Sequence, residues 1–259
     1  MSNFISVAEA RDMSGLRIVL TPGIPGPWSE SAKGIFGVKK LDYAWVEQVV
    51  GGENLDLIDW TAQATAPVAV WNDEPPRATW IEQLYLAERL APEPKLIPDD
   101  FEDRMRMMSF CHELLGENGF VWSRRLQILH PTMTNPEAPP EAQAFATYFA
   151  DKYLYEASRA EKAPEHAAGF LRSLAAQLGT QKAKGSKFLI GDQLSALDIY
   201  WAACATIVQP LPHEQCPMTD DFRTMYSTVG PVIEAAIDPA LIEHRDFIYA
   251  EYLTLPLDL

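Results

Sequence analysis

The chain has 259 residues, 36 of them acidic against 21 basic, for a formal net charge of −15. A surface this acidic repels phosphate backbones and anionic lipid, so neither a nucleic-acid partner nor a membrane surface is expected. With 47% hydrophobic and 22% charged residues, the composition is that of an ordinary globular protein, long enough for one large domain or two smaller ones. The opening MSNFISVAEARDMSG lacks the basic-then-apolar layout of a secretory signal, and no apolar run reaches the length of a membrane span. Cys111, Cys204 and Cys216 are odd in number and widely spaced, which suits neither a disulfide framework nor a metal site. A reducing cytoplasm is the expected location.

Taken in chain order, LRIVL (16–20) is a short apolar strand. TPGIPGPWSES (21–31) follows; its three prolines and two glycines force a sharp turn. Backbone N–H groups at such a strand-to-helix turn make an anion site. From Pro27, suited to a first helical turn, Trp28, Ala32, Ile35, Phe36 and Lys39 recur at helical spacing. DYAWVEQVV (42–50) is aromatic and β-branched and predicts a second strand. PVAVW (67–71) predicts a third, and PPR (75–77) breaks a further strand. TWIEQLYLAERL (79–90) predicts a helix with Trp80, Leu84 and Leu86 toward a core. The order β-α-β-x-β-(β)-α describes a small α/β domain over residues 1–90.

APEPKLIPDD (91–100), with three prolines, is the linker. Beyond it no strand pattern is found, so residues 101–259 predict an all-helical domain. A long helical run covers 101–129, bent near Gly116 or Gly119; further helices cover 141–162, 164–179 and 195–209, with shorter ones at 219–227 and 238–253. HPTMTNPEAPPE (130–141) is too rich in proline for helix and long for a bundle connection. It either covers a pocket or forms a surface loop.

The most specific local signal is GDQLSALDIY (191–200). Ser195 can cap the helix while the Asp198 carboxylate reaches back to the N–H of Ser195, a capping box with Asp in place of Glu. Alone this is a folding device. In context it carries a resemblance: FLIGDQLSALDIYWA is similar to the start of the buried sixth helix of the glutathione transferase family. YLAERLAP (85–92) resembles the close of that family's small domain, APV (66–68) stands where the family has a cis-proline, and Thr79 where it has Ser or Thr. The resemblance spans roughly residues 16–250. It implies a thioredoxin-like domain followed by an all-helical one, glutathione as co-substrate, and a homodimer.

Glutathione brings two carboxylates, an amine and a thiol. The resemblance implies a cis Pro67 beside which the N–H and C=O of Ala66 pair with the peptide as an added strand; a trans proline opening a strand is the plain alternative. It implies that Thr79 and the first N–H groups of its helix seat the γ-glutamyl carboxylate, although a plain N-cap would use the same residue. Ala78 departs from the family, where an acidic residue is usual, which leaves Glu74 or Glu82 to meet the ligand's amine. At the turn, where the family carries a Tyr, Ser or Cys, this chain has Pro25 and Gly26. Lowering a thiol from ~8.5 to about 6.5 takes ~2.7 kcal/mol of preferential thiolate stabilisation, and neither residue can donate from a side chain. Thr21, Ser29 and Ser31 are the nearest hydroxyls. Ser29, in the helix's first turn, is the catalytic candidate, with simple capping as the alternative. Trp28 either walls the site or merely packs. Glu30 would oppose a thiolate unless it points to solvent.

Other features carry less. His112 and Glu113 are adjacent and so face different sides of a helix, and the remaining histidines show no metal spacing; no metal is expected. No glycine-rich dinucleotide fingerprint or phosphate-loop lysine motif occurs. Arg124 and Arg125 fall on the helix whose family counterpart borders the acceptor pocket; solvated surface arginine is the plain reading. Two functions follow. One is a glutathione-dependent transferase acting on a small apolar electrophile. The other is a non-catalytic module of the same fold that binds ligands or partner proteins, favoured by Pro25, Gly26 and the neutral Ala78.

Overall fold

The computed structural model describes residues 4–259. Strand β1 (Phe4–Ile5) and helix α1 (Val7–Arg11) precede the first expected strand. Ser6 starts α1 through a capping box with Glu9, a spacing legible in SVAE. Strand β2 (Leu16–Leu20), α2 (Pro27–Val38), β3 (Tyr43–Glu47), α3 (Leu55–Thr61), β4 (Val68–Trp71) and α4 (Trp80–Leu90) complete this part. The sheet order is β1-β3-β2-β4, with β1 and β2 parallel to β3 and β4 antiparallel to β2. All five residues of β2 are buried, as a central strand covered on both faces requires. Ile18 and Leu20 join Ile35, Phe36, Leu84 and Ala87 on one face, and Val19 joins Ala10, Val46 and Leu57 on the other. The further strand expected at 75–77 contracts to one antiparallel bridge, Ala69 with Arg77. Paired prolines leave that segment too few N–H groups to extend a ladder. This is a thioredoxin-like layer.

The remainder is helical: α5 (Phe101–Leu115), α6 (Phe120–Met133), α7 (Pro140–Lys152), α8 (Ala157–Ala183), α9 (Ala196–Cys204), α10 (Asp220–Ser227), α11 (Gly230–Glu234) and α12 (Pro239–Tyr252). The run expected over 101–129 is two helices rather than one bent helix. Gly119 permits the break, because a Cβ there would lie 2.5 Å from the Glu113 carbonyl oxygen. The next boundary also moves. The expected 141–162 helix ends at Lys152, where the Trp122 indole donates to the Tyr153 carbonyl at 3.1 Å, and α8 then runs straight through Pro164. A tertiary contact outweighs proline here. Among the described residues no helix is long and apolar enough to cross a membrane.

Helix α9 joins the two parts. Every one of its residues is buried. Asp198 holds its start: Oδ2 accepts from Ser195 N at 2.9 Å and Ser195 Oγ at 2.7 Å, while Oδ1 accepts from Leu189 N at 2.8 Å and meets His244 Nε2 at 2.9 Å. Across the interface α2 lies against α9 at Gly34, where a Cβ would fall 2.6 Å from Ile199 Cγ2. That close approach fixes where the first turn of α2 stands relative to the helices.

Candidate functional site

The turn between β2 and α2 is held by short polar links. Gly26 N donates to the Ile24 carbonyl at 2.8 Å, and Thr21 Oγ1 donates to Gln48 Oε1 at 2.7 Å. Gln48 Nε2 in turn donates to the Val49 and Ala64 carbonyls, so the turn and the loop before Pro67 share one brace. Helix α2 begins at N-cap Gly26 with Pro27 at its first position and no side-chain cap. Its first-turn N–H groups, on Trp28 and Ser29, therefore lack a partner within the helix.

The three hydroxyls near this turn separate cleanly. Thr21 is bonded to Gln48 and the Ser31 hydroxyl contacts Cys204 Sγ at 3.8 Å, inside the core. Ser29 caps nothing, makes no side-chain hydrogen bond among the described residues and lines a cavity. Trp28 is half-buried; its indole donates to the Leu115 carbonyl at 2.9 Å and stacks on Tyr153 at 6.0 Å. Glu30 does not point to solvent: it is buried, paired with Lys33 at 2.9 Å, and lines a different hollow with Tyr43 and Tyr249. Burial pushes its carboxyl above the usual range.

The Ala66–Pro67 bond is cis. Gln83 Nε2 donates to the Pro67 carbonyl at 3.3 Å and to the Arg77 carbonyl at 3.1 Å, tying this loop to α4. Among the described residues the peptide groups of Ala66 are unpaired; Ala66 lies two residues before Val68, where the β2–β4 ladder ends opposite Val19. Ala66 stands where two cavities meet. One, about 730 Å³, is lined by Gln63, Ala66, Pro67, Ala78 and Gln83. The other, about 740 Å³, lies among the helices and is lined by Ser29, Ile128, Phe145, Phe149, Phe222 and Met225. Trp28, Thr65, Lys152 and Tyr153 border both. The wall of the larger one comes from α7, not from the proline-rich segment before it: α6 continues through Pro131, and only residues 134–139 remain as loop.

At the start of α4 the protein supplies its own anion. Glu82 Oε2 accepts from Ala78 N at 3.1 Å, Thr79 N at 3.0 Å and Thr79 Oγ1 at 2.8 Å, and Glu82 N returns to Thr79 Oγ1 at 3.4 Å. This is a complete capping box, and it uses the donors that a ligand carboxylate at Thr79 would need. Glu82 is therefore not free to meet an amine. Nor is Glu74, which pairs with Arg77 at 3.2 Å and Arg89 at 2.5 Å. The signal was present in TWIE, the same spacing that marks 195–198.

Arg124 and Arg125 are not solvated. Arg124 is fully buried and donates to the Ile207, Tyr226 and Thr228 carbonyls. Arg125 lines the larger cavity, its Nη2 donating to Tyr226 Oη at 3.0 Å. Lys152 and Tyr153 at this cleft carry no mark in the sequence, and Arg125, placed there beside the acceptor pocket, reads as solvated, because nothing local marks which face of α6 or α7 is covered. All three cysteines are buried and free. Burial pushes Cys204 up to about 12 and Cys216 up to about 11, and Cys111 well above its ordinary value, so none offers a thiolate near neutral pH.

No family model matches the chain, and no curated protein matches it by sequence. Solved structures do match. A glutathione S-transferase from Methylobacterium radiotolerans in complex with glutathione sulfonate is 15% identical, with a TM-score of 0.58 over 92% of each chain. A glutathione S-transferase domain-containing protein from Marinobacter aquaeolei is 17% identical, with a TM-score of 0.64 over 92% of this chain and all of its own. A glutathione S-transferase from Methylobacillus flagellatus with glutathione bound is 13% identical, with a TM-score of 0.55 over 86% of this chain and 98% of its own. The likeness is one of fold.

Proposed function

We propose that this chain, whose fold is that of the glutathione transferases, is a glutathione-dependent transferase whose acceptor is a small apolar electrophile. The observation that carries the reading is the unpaired peptide edge of Ala66 at the junction of the two cavities, beside the unpartnered hydroxyl of Ser29. An extended peptide adds to such an edge as a short strand. The thiol then faces the first turn of α2, where the free N–H groups, the helix dipole and the Ser29 hydroxyl favour the thiolate over the thiol. The sulfur attacks the electrophilic carbon of an acceptor held by Phe145, Phe149 and Met225, and either adds to it or displaces a leaving group. Trp28 and Ala78 border the glutathione side, and Thr79 receives the γ-glutamyl carboxylate only when Glu82 yields its place.

Calorimetric titration with glutathione tests this. Binding at millimolar ligand, together with conjugation of 1-chloro-2,4-dinitrobenzene above the uncatalysed rate, is expected; no binding at that concentration would rule the reading out. The second reading, a non-catalytic binding module, is favoured by Glu82 in the anion seat and by Pro25 and Gly26 at the turn. Binding without any conjugation rate would select it. The reading extends to a cytoplasmic homodimer with residues 1–90 and 101–259 as its two domains. The exposed Ile81 and Tyr85 on α4 and Phe101 and Met105 on α5 support pairing, and a monomer mass by light scattering would refute it.

A further inference from the structure

The cavity beside Ser29 is apolar along most of its wall but is also lined by two cations, Arg125 and Lys152. Arg125 projects from α6 with its guanidinium against the Tyr226 ring, 5.2 Å from the ring centre. Its Nε is buried and has no hydrogen-bond partner. Lys152, in the last turn of α7, lies over the Tyr153 ring at 5.6 Å, and its Nζ donates no hydrogen bond. Among the described residues no carboxylate acts on either group; what surrounds them is each other and the hydroxyls of Tyr226 and Tyr153, with Tyr148 nearby. A chain with 36 acidic residues leaves these two cations uncompensated in a half-buried cleft. Buried like charges destabilise each other unless an anion joins them.

We infer that the ligand selected by this cleft carries an acid group: Arg125 and Lys152 take the carboxylate of a flat apolar acid, while Phe145, Phe149, Phe222 and Met225 take its body. Arg offers a planar fork and Lys a point charge, which together suit two carboxylate oxygens. Burial, and then Arg125, pull the Lys152 ammonium down to about 8, so the seat is mostly charged at neutral pH and loses the Lys152 charge as pH rises through that value. The inference rests on the reading of this cleft as an acceptor pocket. Glutathione's own carboxylate is the other source of the same chemistry.

The test compares 1-naphthylacetate with neutral 1-naphthylacetamide, titrated without glutathione. The acid is expected to bind at least about tenfold more tightly than the amide. Its advantage falls to threefold or less in Lys152→Met and in Arg125→Gln, and its affinity drops above pH 8 in the parent protein but not in Lys152→Met. Lys152 is only half-buried, so its variant keeps the test alive if Arg125→Gln fails to fold. Equal binding of acid and amide, or an advantage that survives both substitutions, overturns the inference. So does competitive displacement of the acid by glutathione that is lost in Lys152→Met, since that assigns the pair to glutathione's carboxylate. Failure of glutathione to bind in a separate titration would sink the transferase reading and leave the acid seat standing.

Discussion

Replacing Glu82 with glutamine should tighten glutathione binding. In the parent chain Glu82 Oε2 takes three donors at 3.1, 3.0 and 2.8 Å, the same N–H and O–H groups a γ-glutamyl carboxylate would use. A ligand carboxylate arriving there meets a second negative charge at ~4 Å, where repulsion runs from ~1 kcal/mol in water to ~4 kcal/mol for pairs near a protein surface. Thr79 is exposed, so the low half of that range applies, about 1–2 kcal/mol, or roughly 5–30-fold in affinity. Glutamine still closes the capping box and loses only the charge–dipole contribution, about 0.3–1 kcal/mol. Titration calorimetry at pH 7 should show the dissociation constant falling roughly tenfold, with the gain shrinking as salt screens the exposed charge. Acid is no substitute for the mutation. Burial opposes the Glu82 charge, but hydrogen bonds from Thr79 and Ala78 outweigh it and hold the carboxyl below its usual range. A depressed carboxyl stabilises the fold above its unfolded value of ~4.3 and gives this up only as pH falls through the folded value. Between pH 5 and 8 the seat therefore stays filled. An unchanged or weaker affinity in Glu82→Gln would show that glutathione does not compete for this helix start, and the anion seat would have to be sought elsewhere.

Other expectations rest on single contacts. Ser29→Ala should lower the conjugation rate by about 10²-fold while leaving the glutathione dissociation constant within a factor of about two, as loss of one preorganised donor does; an unchanged rate would return Ser29 to packing. Asp198→Asn leaves buried donors from Leu189, Ser195 and His244 short of acceptors and should cost about 3–5 kcal/mol, read as a melting point lower by roughly 6–20 °C. Gly119→Ala forces a Cβ to within 2.5 Å of a carbonyl oxygen and should cost about 1–3 kcal/mol in a urea titration; a variant as stable as the parent would mean the α5–α6 break is not tight. The three buried thiols should not react with Ellman's reagent until the chain unfolds.

What could be read along the chain was local. Ser195 and Asp198 announce α9 because a capping box is complete within four residues, and Pro27 announces α2 because its ring sets the first helical turn. Thr79 and Glu82 have the same spacing. The plain consequence of that spacing is that Glu82 takes the donors a ligand at Thr79 would need. Boundaries set by distant partners were not legible: α7 stops at Lys152 because Trp122 reaches the Tyr153 carbonyl from another helix, and no pattern within 141–162 foretells it. The same holds for Arg124, whose partners Ile207, Tyr226 and Thr228 lie far along the sequence. Two adjacent arginines look solvated until the elements that cover them are known.

The charge argument shows how far composition reaches. A net charge of −15 bears on partners that meet the whole surface, such as nucleic acid, because many charges act on them at once. It says little about a cleft. Exposed charges more than about 8–10 Å away are largely screened at physiological salt, and inside the cleft the nearest charges are those of Arg125 and Lys152. Those two act at short range in a half-buried setting, where the effective permittivity falls and each contact strengthens. An acidic protein can therefore hold an anion in its interior while its surface repels anions. The same reasoning sets the two ends of the proposed site apart. At the exposed start of α4 a fixed carboxylate meets the ligand's own carboxylate with like charge, and at the covered end of the cleft unpaired cations await one. If the cleft takes an acid as proposed, selection falls to its covered end, where an acid group gains more than a carboxylate does beside Glu82 at the exposed start of α4.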